Sequence, residues 1–216
     1  MKNALAIIGA DVLGQHIAHY AKLEEKFTDI MFFDDSRVPG TNNNYGEIKG
    51  GISGIDKFIK EDKIQCMLIG IGYKHMERRR SLYEQFASQI CFPNIIHPSC
   101  YVDSSTLTGK GNIFLPGCIV DKGCILGSNN FFNPGSLIAH DNIIGDHNYF
   151  GPGIKTSGSV KIGSCCFFGT GTNFIDEVTI GDNINTGAGT LITKSIFEQG
   201  TYAGIPGRKI KKSLAL

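Results

Sequence analysis

Several features are scarce in this chain of 216 residues, and each absence removes a class of function. No apolar run reaches the ~18 residues that a membrane-spanning helix needs, which argues against a transmembrane segment. Excess charge of one sign is missing: 21 Lys and Arg against 20 Asp and Glu leave a net charge of +1. Bulk electrostatics therefore argue for no nucleic-acid partner. Cysteine pairs of the C-x-x-C kind are missing as well. The seven cysteines are odd in number and show no zinc spacing. Without an export signal, a disulfide framework is not expected. The opening Met-Lys-Asn-Ala-Leu-Ala-Ile-Ile-Gly-Ala has a lysine and an apolar stretch. That stretch is short and runs into glycine rather than a cleavage site, so it reads as a first strand. A cytoplasmic protein is expected, with length enough for one large domain or two small ones.

What is present in excess is glycine, 28 residues, well above the ~7% of average proteins. Most of that excess falls after residue 100, so the two halves of the chain differ in kind. In residues 1–94, Leu5-Ala6-Ile7-Ile8 ends at Gly9 and fits a buried parallel strand. The apolar spacing of Val12, Ile17, Ala18, Ala21 and Leu23 predicts a helix from Val12 to about Lys26. A strand over Ile30–Phe33, a short helix over Ile55–Lys60, a strand over Cys66–Ile71 and a basic helix over His75–Ser88 complete a small, Rossmann-like parallel α/β domain.

The turn after the first strand, Gly9-Ala10-Asp11-Val12-Leu13-Gly14, has two of the three glycines of a dinucleotide fingerprint. Asp11 stands where the second would be. Its side chain would crowd a pyrophosphate and its charge would repel it, so NAD is not expected. A strand–Gly–helix turn still offers backbone N–H groups to some ligand. Asp34 and Asp35, at the carboxyl end of the second strand, suit acceptors for ribose hydroxyls or base N–H groups, or simply a polar strand end.

From Ile96 to Ile192 every sixth residue is apolar or Thr, and the frame never slips. Glycine often follows, as at Gly109, Gly127, Gly145 and Gly163. The fifth place of the hexad takes Cys100, Cys118, Cys124 and Cys166, which gives those thiols a role as small interior fillers. A period of six fits neither a 3.6-residue helix nor a two-residue alternation. It fits a β-helix of short flat strands, in which three hexads close a coil of ~18 residues and residues i and i+18 stack about 4.8 Å apart. The α/β domain is expected to cover one end of this prism. The tail from Thr201 reads as a last strand, a Pro-Gly turn and a basic segment for the other. Flat apolar faces favour self-association, and a triangular prism suits three-fold packing.

Phe32-Phe33-Asp34-Asp35-Ser36, Ile95-Ile96-His97-Pro98-Ser99, Ile138-Ala139-His140-Asp141 followed by Ile143-Ile144-Gly145-Asp146, and Ser157 to Gly163 carry a resemblance over essentially the whole chain. Together with Ala203-Gly204-Ile205-Pro206-Gly207-Arg208-Lys209, they make it similar to the NeuD/PglD-like sugar O- and N-acyltransferases. The resemblance implies an α/β domain over residues 1–94 and a left-handed parallel β-helix over 95–216. It also implies a homotrimer that uses acetyl-CoA at sites between neighbouring β-helices. His140 would be the general base and Asp141 would orient its ring. Acetyl-CoA would meet Tyr149, Gly158, Thr170, Ala188, Lys194, Pro206 and Arg208. A nucleotide-linked sugar would meet Gly9, Asp11, Gly14, Asp34, Asp35 and Gly72. Two departures stand out: Leu13 where relatives often carry His, and Tyr149 where a second His often stands near the thioester.

The chemistry can also be read from the residues. Acyl transfer from a thioester needs a base for the acceptor proton and donors for the oxyanion. Histidine titrates near working pH, and Asp141 or Asp146 could hold the tautomer that leaves Nε2 free. One coil beyond His140 lies Gly158, whose N–H is expected to be an oxyanion donor. His140 as an inert polar residue of the coil is the bland alternative. His147, out of frame with His140, is expected at the surface or an interface. Zinc chemistry would need three converging histidines. The coil offers His140 and His147, with His97 at its very start, so no metal is expected. No cysteine has a histidine partner in frame, which argues against a catalytic thiol. Lys194, Arg208, Lys209, Lys211 and Lys212 either meet the phosphates of CoA or form a solvated tail.

These observations predict an acetyl-CoA-dependent N-acetyltransferase acting by direct attack of a nucleotide-linked amino sugar, a 4-amino-4,6-dideoxy sugar, in surface-glycan building. O-acetylation of sialic acid or a related sugar is the alternative within the class. A sugar-nucleotide-binding subunit is the alternative outside it.

Overall fold

Ala4–Ile8 (β1) is a run of five apolar residues, and all five are buried. It sits inside a four-stranded sheet because both of its neighbours pair with it in parallel: Asp29–Phe33 (β2) on one side and Cys66–Ile69 (β4) on the other. A strand with two covered faces and two paired edges has no polar side to show, which is why its sequence does not alternate. Glu47–Gly50 (β3) pairs in parallel with β2 and completes the order β3-β2-β1-β4. The sequence reading missed β3, a short edge strand rich in polar residues.

Helix α1 (Val12–Leu23) buries Gly14, Ile17, Ala18 and Ala21. Val12 and Leu23, counted in the apolar spacing, are instead exposed. The helix also stops short of Lys26. Helices α2 (Ile55–Lys60) and α3 (Met76–Phe86) follow, α3 burying Leu82, Tyr83 and Phe86. Strand order reverses at β1, so the crevice at the carboxyl ends of β1 and β4 is the ligand position of such a sheet.

From Ile95–Ile96 to Leu191–Ile192 the chain forms short strands at a spacing of six, all of two residues except Ile184–Thr186 with three. Parallel pairing joins residues 18 apart: Leu126 with Ile144, Ile144 with Ile162, Phe132 with Phe150. Three parallel sheets result. From Phe114 to Ile192 the every-sixth residues point inward and are buried, including Leu126, Phe132, Ile138, Ile144 and Phe150, whereas Ile96 and Thr108 of the first coil are exposed. Rings of successive coils stack, with Phe114 and Phe132 centroids 4.6 Å apart and 4° from parallel. Each such buried side chain is worth roughly 1.5–3 kcal/mol of transfer free energy, so the interior column is the main source of stability. The filler cysteines point inward too. Cys118, Cys124 and Cys166 are buried, and burial pushes the Cys166 thiol up to about 12.

Corners need left-handed backbone. One column of corners uses Gly117, Gly135, Gly153, Gly171 and Gly189. Another uses Gly123, Asp141, Ser159 and Glu177, so Asp141 sits at φ 59°. The coil shortens at its far end: Ile180 bridges to Ile196 and Ile184 pairs with Gly200, 16 residues on rather than 18. Gly200–Ala203 then pairs antiparallel with Arg208–Lys209. The computed structural model describes residues 3–210 and divides into two units, Met1–Ile95 and Ile96–Leu216. Lys211 and Lys212 lie outside the described residues.

Candidate active site

His140 and Asp141 form one corner of the coil, between strands Leu137–Ile138 and Ile143–Ile144. The corner stacks on its neighbours through backbone bonds: Asp141 N–H donates to the Lys122 carbonyl at 2.9 Å, and Ser159 N–H to the His140 carbonyl at 3.0 Å. Asn142, fully buried, braces it from within, its amide donating to the carbonyls of Ala139 and Ser157 at 2.8 and 2.9 Å.

On this frame the His140 Nδ1 lies 2.9 Å from Asp141 Oδ2. A carboxylate only accepts, so Nδ1 carries the hydrogen and Nε2 of the neutral ring keeps its lone pair. Asp146, the other candidate orienter, accepts Ser128 N–H at 2.6 Å instead and belongs to a different corner. Both side chains of the pair are about half exposed, 49% and 56%, so the pair can be reached from solvent.

Two glycines make room for the pair. A Cβ on Gly158 would stand 2.5 Å from His140 Cε1 and 2.6 Å from Nε2. On the opposite side, a Cβ on Gly123 would run into Asp141 Oδ1. Gly123 escaped the sequence reading, although stepping back one coil from Asp141 reaches it.

The expected oxyanion role of Gly158 is corrected by its surroundings. Its N–H already donates to Asp176 Oδ1 at 3.0 Å, one coil further on. The same device caps the neighbouring corner column, where Ser164 N–H donates to Asp182 at 2.7 Å. The N–H is therefore not free, and the space Gly158 leaves for the ring is its visible contribution.

His147 is corrected as well. It is buried, with Nδ1 2.9 Å from the Asn129 amide, and occupies a left-handed corner position rather than the surface. Among the described residues, no group of three or more His, Cys, Asp or Glu is placed to hold a metal.

Apart from Gly158, the residues expected at acetyl-CoA do not gather around His140 within one chain. Tyr149 lies on the third sheet, which does not border the His140 corner, stacked on Phe131 with centroids 5.0 Å apart. Thr170 and Ala188 precede Gly171 and Gly189 in the glycine corner column, on a different edge of the prism. Lys194 and Arg208 come together around a cavity of about 330 Å³ that Lys209 and Tyr202 also line. Pro206 is exposed after a cis bond from Ile205.

In the N-terminal unit a cavity of about 700 Å³ opens where the sheet topology reverses. Gly9, Asp11, Asp34, Asp35 and Gly72 line it. Gly14 does not: a Cβ on it would overlap the Gly9 carbonyl oxygen, and a Cβ on Gly70 would stand 2.6 Å from the Gly14 Cα. Its role is helix–strand contact, and the ligand expectation for it is withdrawn. Asp11 pairs with Arg37.

Asp34 ties the end of β2 to the first turn, accepting Ala10 N–H at 2.8 Å and both Ser36 N–H and hydroxyl at 2.8 and 2.6 Å. Partial burial opposes ionisation, yet these bonds to Ser36 and Ala10, with Arg37 nearby, hold its carboxyl below the usual range. Its lone pairs serve the fold. Ile52, His75 and Arg78 also line the cavity and were not singled out from sequence. The basic character of α3 was the available signal for Arg78.

No family model and no curated protein matches the chain. Solved structures do match. The acetyltransferase domain of PglB from Neisseria gonorrhoeae is 26% identical with a TM-score of 0.88, covering 97% of this chain and 100% of that one. The same domain in complex with acetyl coenzyme A matches at 25% identity and 0.86, again over 97% and 100%. A histidine-to-alanine mutant of GDP-perosamine N-acetyltransferase from Caulobacter crescentus, in complex with CoA and GDP-perosamine, has a TM-score of 0.90 at 20% identity, over 97% and 98%. Along nearly its whole length the chain is thus similar in fold to solved acetyltransferases, among them a sugar N-acetyltransferase.

Proposed function

We propose that this chain is an acetyl-CoA-dependent N-acetyltransferase whose acceptor is the amine of a nucleotide-linked amino sugar, a 4-amino-4,6-dideoxy sugar, used in surface-glycan building. The observation that carries the reading is the His140–Asp141 pair, bonded at 2.9 Å through Nδ1 with Nε2 beside Gly158. The neutral amine attacks the thioester carbonyl, and a C–N bond forms. His140 Nε2 takes the amine proton, the C–S bond breaks as the tetrahedral species collapses, and that proton leaves with the thiolate as CoA-SH. Asp141 holds the ring and stabilises the imidazolium while it lasts. The matched structures carry acetyl-CoA in one case, and CoA with a GDP-linked amino sugar in another.

A homotrimer completes the proposal. His140 and the acetyl-CoA candidates Thr170 and Ala188 occupy different edges of one prism, so a neighbouring copy would bring them together. Apolar groups on two outer sheets support such packing: Tyr101 and Ile119 on one, Leu107, Ile125 and Ile143 on the other, all substantially exposed in the single chain.

The experiment is turnover of the full chain with acetyl-CoA against nucleotide-linked 4-amino, 3-amino and hydroxy sugars. Transfer to a 4-amino sugar that disappears in His140→Asn supports the reading. Transfer only to hydroxy sugars replaces it with O-acetylation, and turnover undiminished in His140→Asn removes the base.

A further inference from the structure

Cys66 stands on β4 and Cys91 on the segment that follows α3, and the two residues are bridged in parallel, one directly against the other. The Met67 N–H donates to the Cys91 carbonyl at 2.9 Å. Phe92, next along the chain, is buried, with its ring centroid 4.6 Å from that of Tyr83 on α3. Backbone and side chain thus hold Cys91 in place against β4. Residues paired in register point to the same face, and the two thiols meet. Burial first, and then the adjoining Cys91 sulfur, push the Cys66 thiol up to about 12. Neighbouring strands lie about 4.8 Å apart, inside the ~4.4–6.8 Å between Cα atoms that a disulfide spans. Both cysteines are free thiols in this structure.

Exposure separates this pair from the remaining thiols. Among the described residues Cys91 is the one exposed cysteine, and its partner Cys66 is 8% exposed. Cys118, Cys124 and Cys166 fill the coil interior, and the sulfur that Cys100 meets is that of Cys118, only 1% exposed. A soluble oxidant therefore reaches Cys91 first.

The geometry points to Cys66 and Cys91 as a modification site, a dithiol that a low-molecular-weight disulfide of the glutathione kind converts to a protein disulfide. The Cys91 thiolate attacks one sulfur of the small disulfide, a mixed disulfide forms, and one small thiolate leaves and is protonated. The Cys66 sulfur then attacks the Cys91 sulfur. The S–S bond within the chain forms as the second small thiolate departs and takes up the Cys66 proton. Two protein thiols are oxidised, and one small disulfide is reduced to two thiols. The ring so closed contains α3 and the cavity residues Gly70, Ile71, Gly72, His75 and Arg78, so oxidation constrains that wall of the N-terminal cavity. Under reducing conditions the pair stays open, in keeping with the absence of a disulfide framework expected from the sequence.

The test treats the full chain with glutathione disulfide, blocks the remaining thiols, and maps linked peptides by fragmentation mass spectrometry beside thermal unfolding. A Cys66–Cys91 cross-link is expected. It should raise the first unfolding transition by about 5 °C or more, and dithiothreitol should return it. Cys91→Ser should give neither cross-link nor shift. Cys66→Ala keeps the exposed thiol, so glutathione should remain on Cys91, and it stands as the second variant if Cys91→Ser does not fold. Glutathione left on wild-type Cys91 without ring closure overturns the pair, as does a cross-link that joins other cysteines or a Cys91 that stays unmodified. A cross-link with unshifted unfolding overturns the constraint on the cavity wall.

Discussion

The His140 ring rests on the backbone of Gly158, one coil away, at a spot where a Cβ would come within 2.6 Å of Nε2. A side chain at residue 158 would therefore meet the proposed base itself rather than the scaffold. The backbone at Gly158 is not in the left-handed region, so alanine is conformationally allowed there. Gly158→Ala is expected to displace the ring and lower kcat by roughly 10–100-fold, with Tm within a few degrees of wild type. Kinetics paired with thermal unfolding checks this. A large loss of Tm with kcat intact would assign Gly158 to packing alone.

Asp141→Asn keeps the size of the side chain but allows an NH₂ to face Nδ1, which favours the tautomer with Nε2 protonated. A drop in kcat of about 100-fold or more is expected, with the KM for acetyl-CoA unchanged. Steady-state kinetics with both substrates varied would show it. A fall confined to KM would move Asp141 from ring orientation to substrate binding.

Asp176→Ala releases the Gly158 N–H. Loss of one capping bond should cost about 1 kcal/mol in chemical denaturation. If the freed N–H then serves the oxyanion, kcat holds or rises. A loss of kcat beyond about tenfold would place Asp176 in the reaction itself.

Asp34 makes stability depend on pH in a definite direction. Its folded carboxyl titrates below the usual range, so its stabilising contribution is complete above the ordinary carboxylate pKa. That contribution fades as pH falls through the depressed folded value. Asp34→Asn, which retains an oxygen acceptor, should unfold more readily near neutral pH and lose less further stability on acidification. Unfolding midpoints of both proteins from pH 7 down to pH 3 should converge. Parallel curves would show that Asp34 carries no linkage.

Gly14→Ala should destabilise the N-terminal unit by about 3 kcal/mol, because the methyl overlaps a backbone carbonyl that has no rotamer to escape to. Denaturation should show an early transition, and binding of the nucleotide-linked sugar should be lost with it. A single unshifted transition would contradict the close approach.

Much of this was legible because it is local or periodic. The inward face of the coil follows from a frame of six, and stepping by 18 paired His140 with Gly158 before any coordinates. Glu47–Gly50 was not legible, since an edge strand needs no apolar alternation. His147 was misread because a polar side chain at a left-handed corner can be covered by the preceding coil, where Asn129, 18 residues back, pairs with it.

Sequence by itself determined the β-helix, its coil length and the corner that carries His140 and Asp141, because burying one residue in six is a rule each hexad obeys alone. Tertiary structure alone decided which polar groups remain available. Among the described residues, Gly158 N–H and both oxygens of Asp34 are occupied, while no hydrogen bond engages His140 Nε2 or Asp35 Oδ2. Whether a donor or acceptor is free depends on what the fold sets within about 3 Å of it, and the partners of Gly158 N–H, Asp35 Oδ1 and Asp34 Oδ2 lie 17 to 24 residues away along the chain.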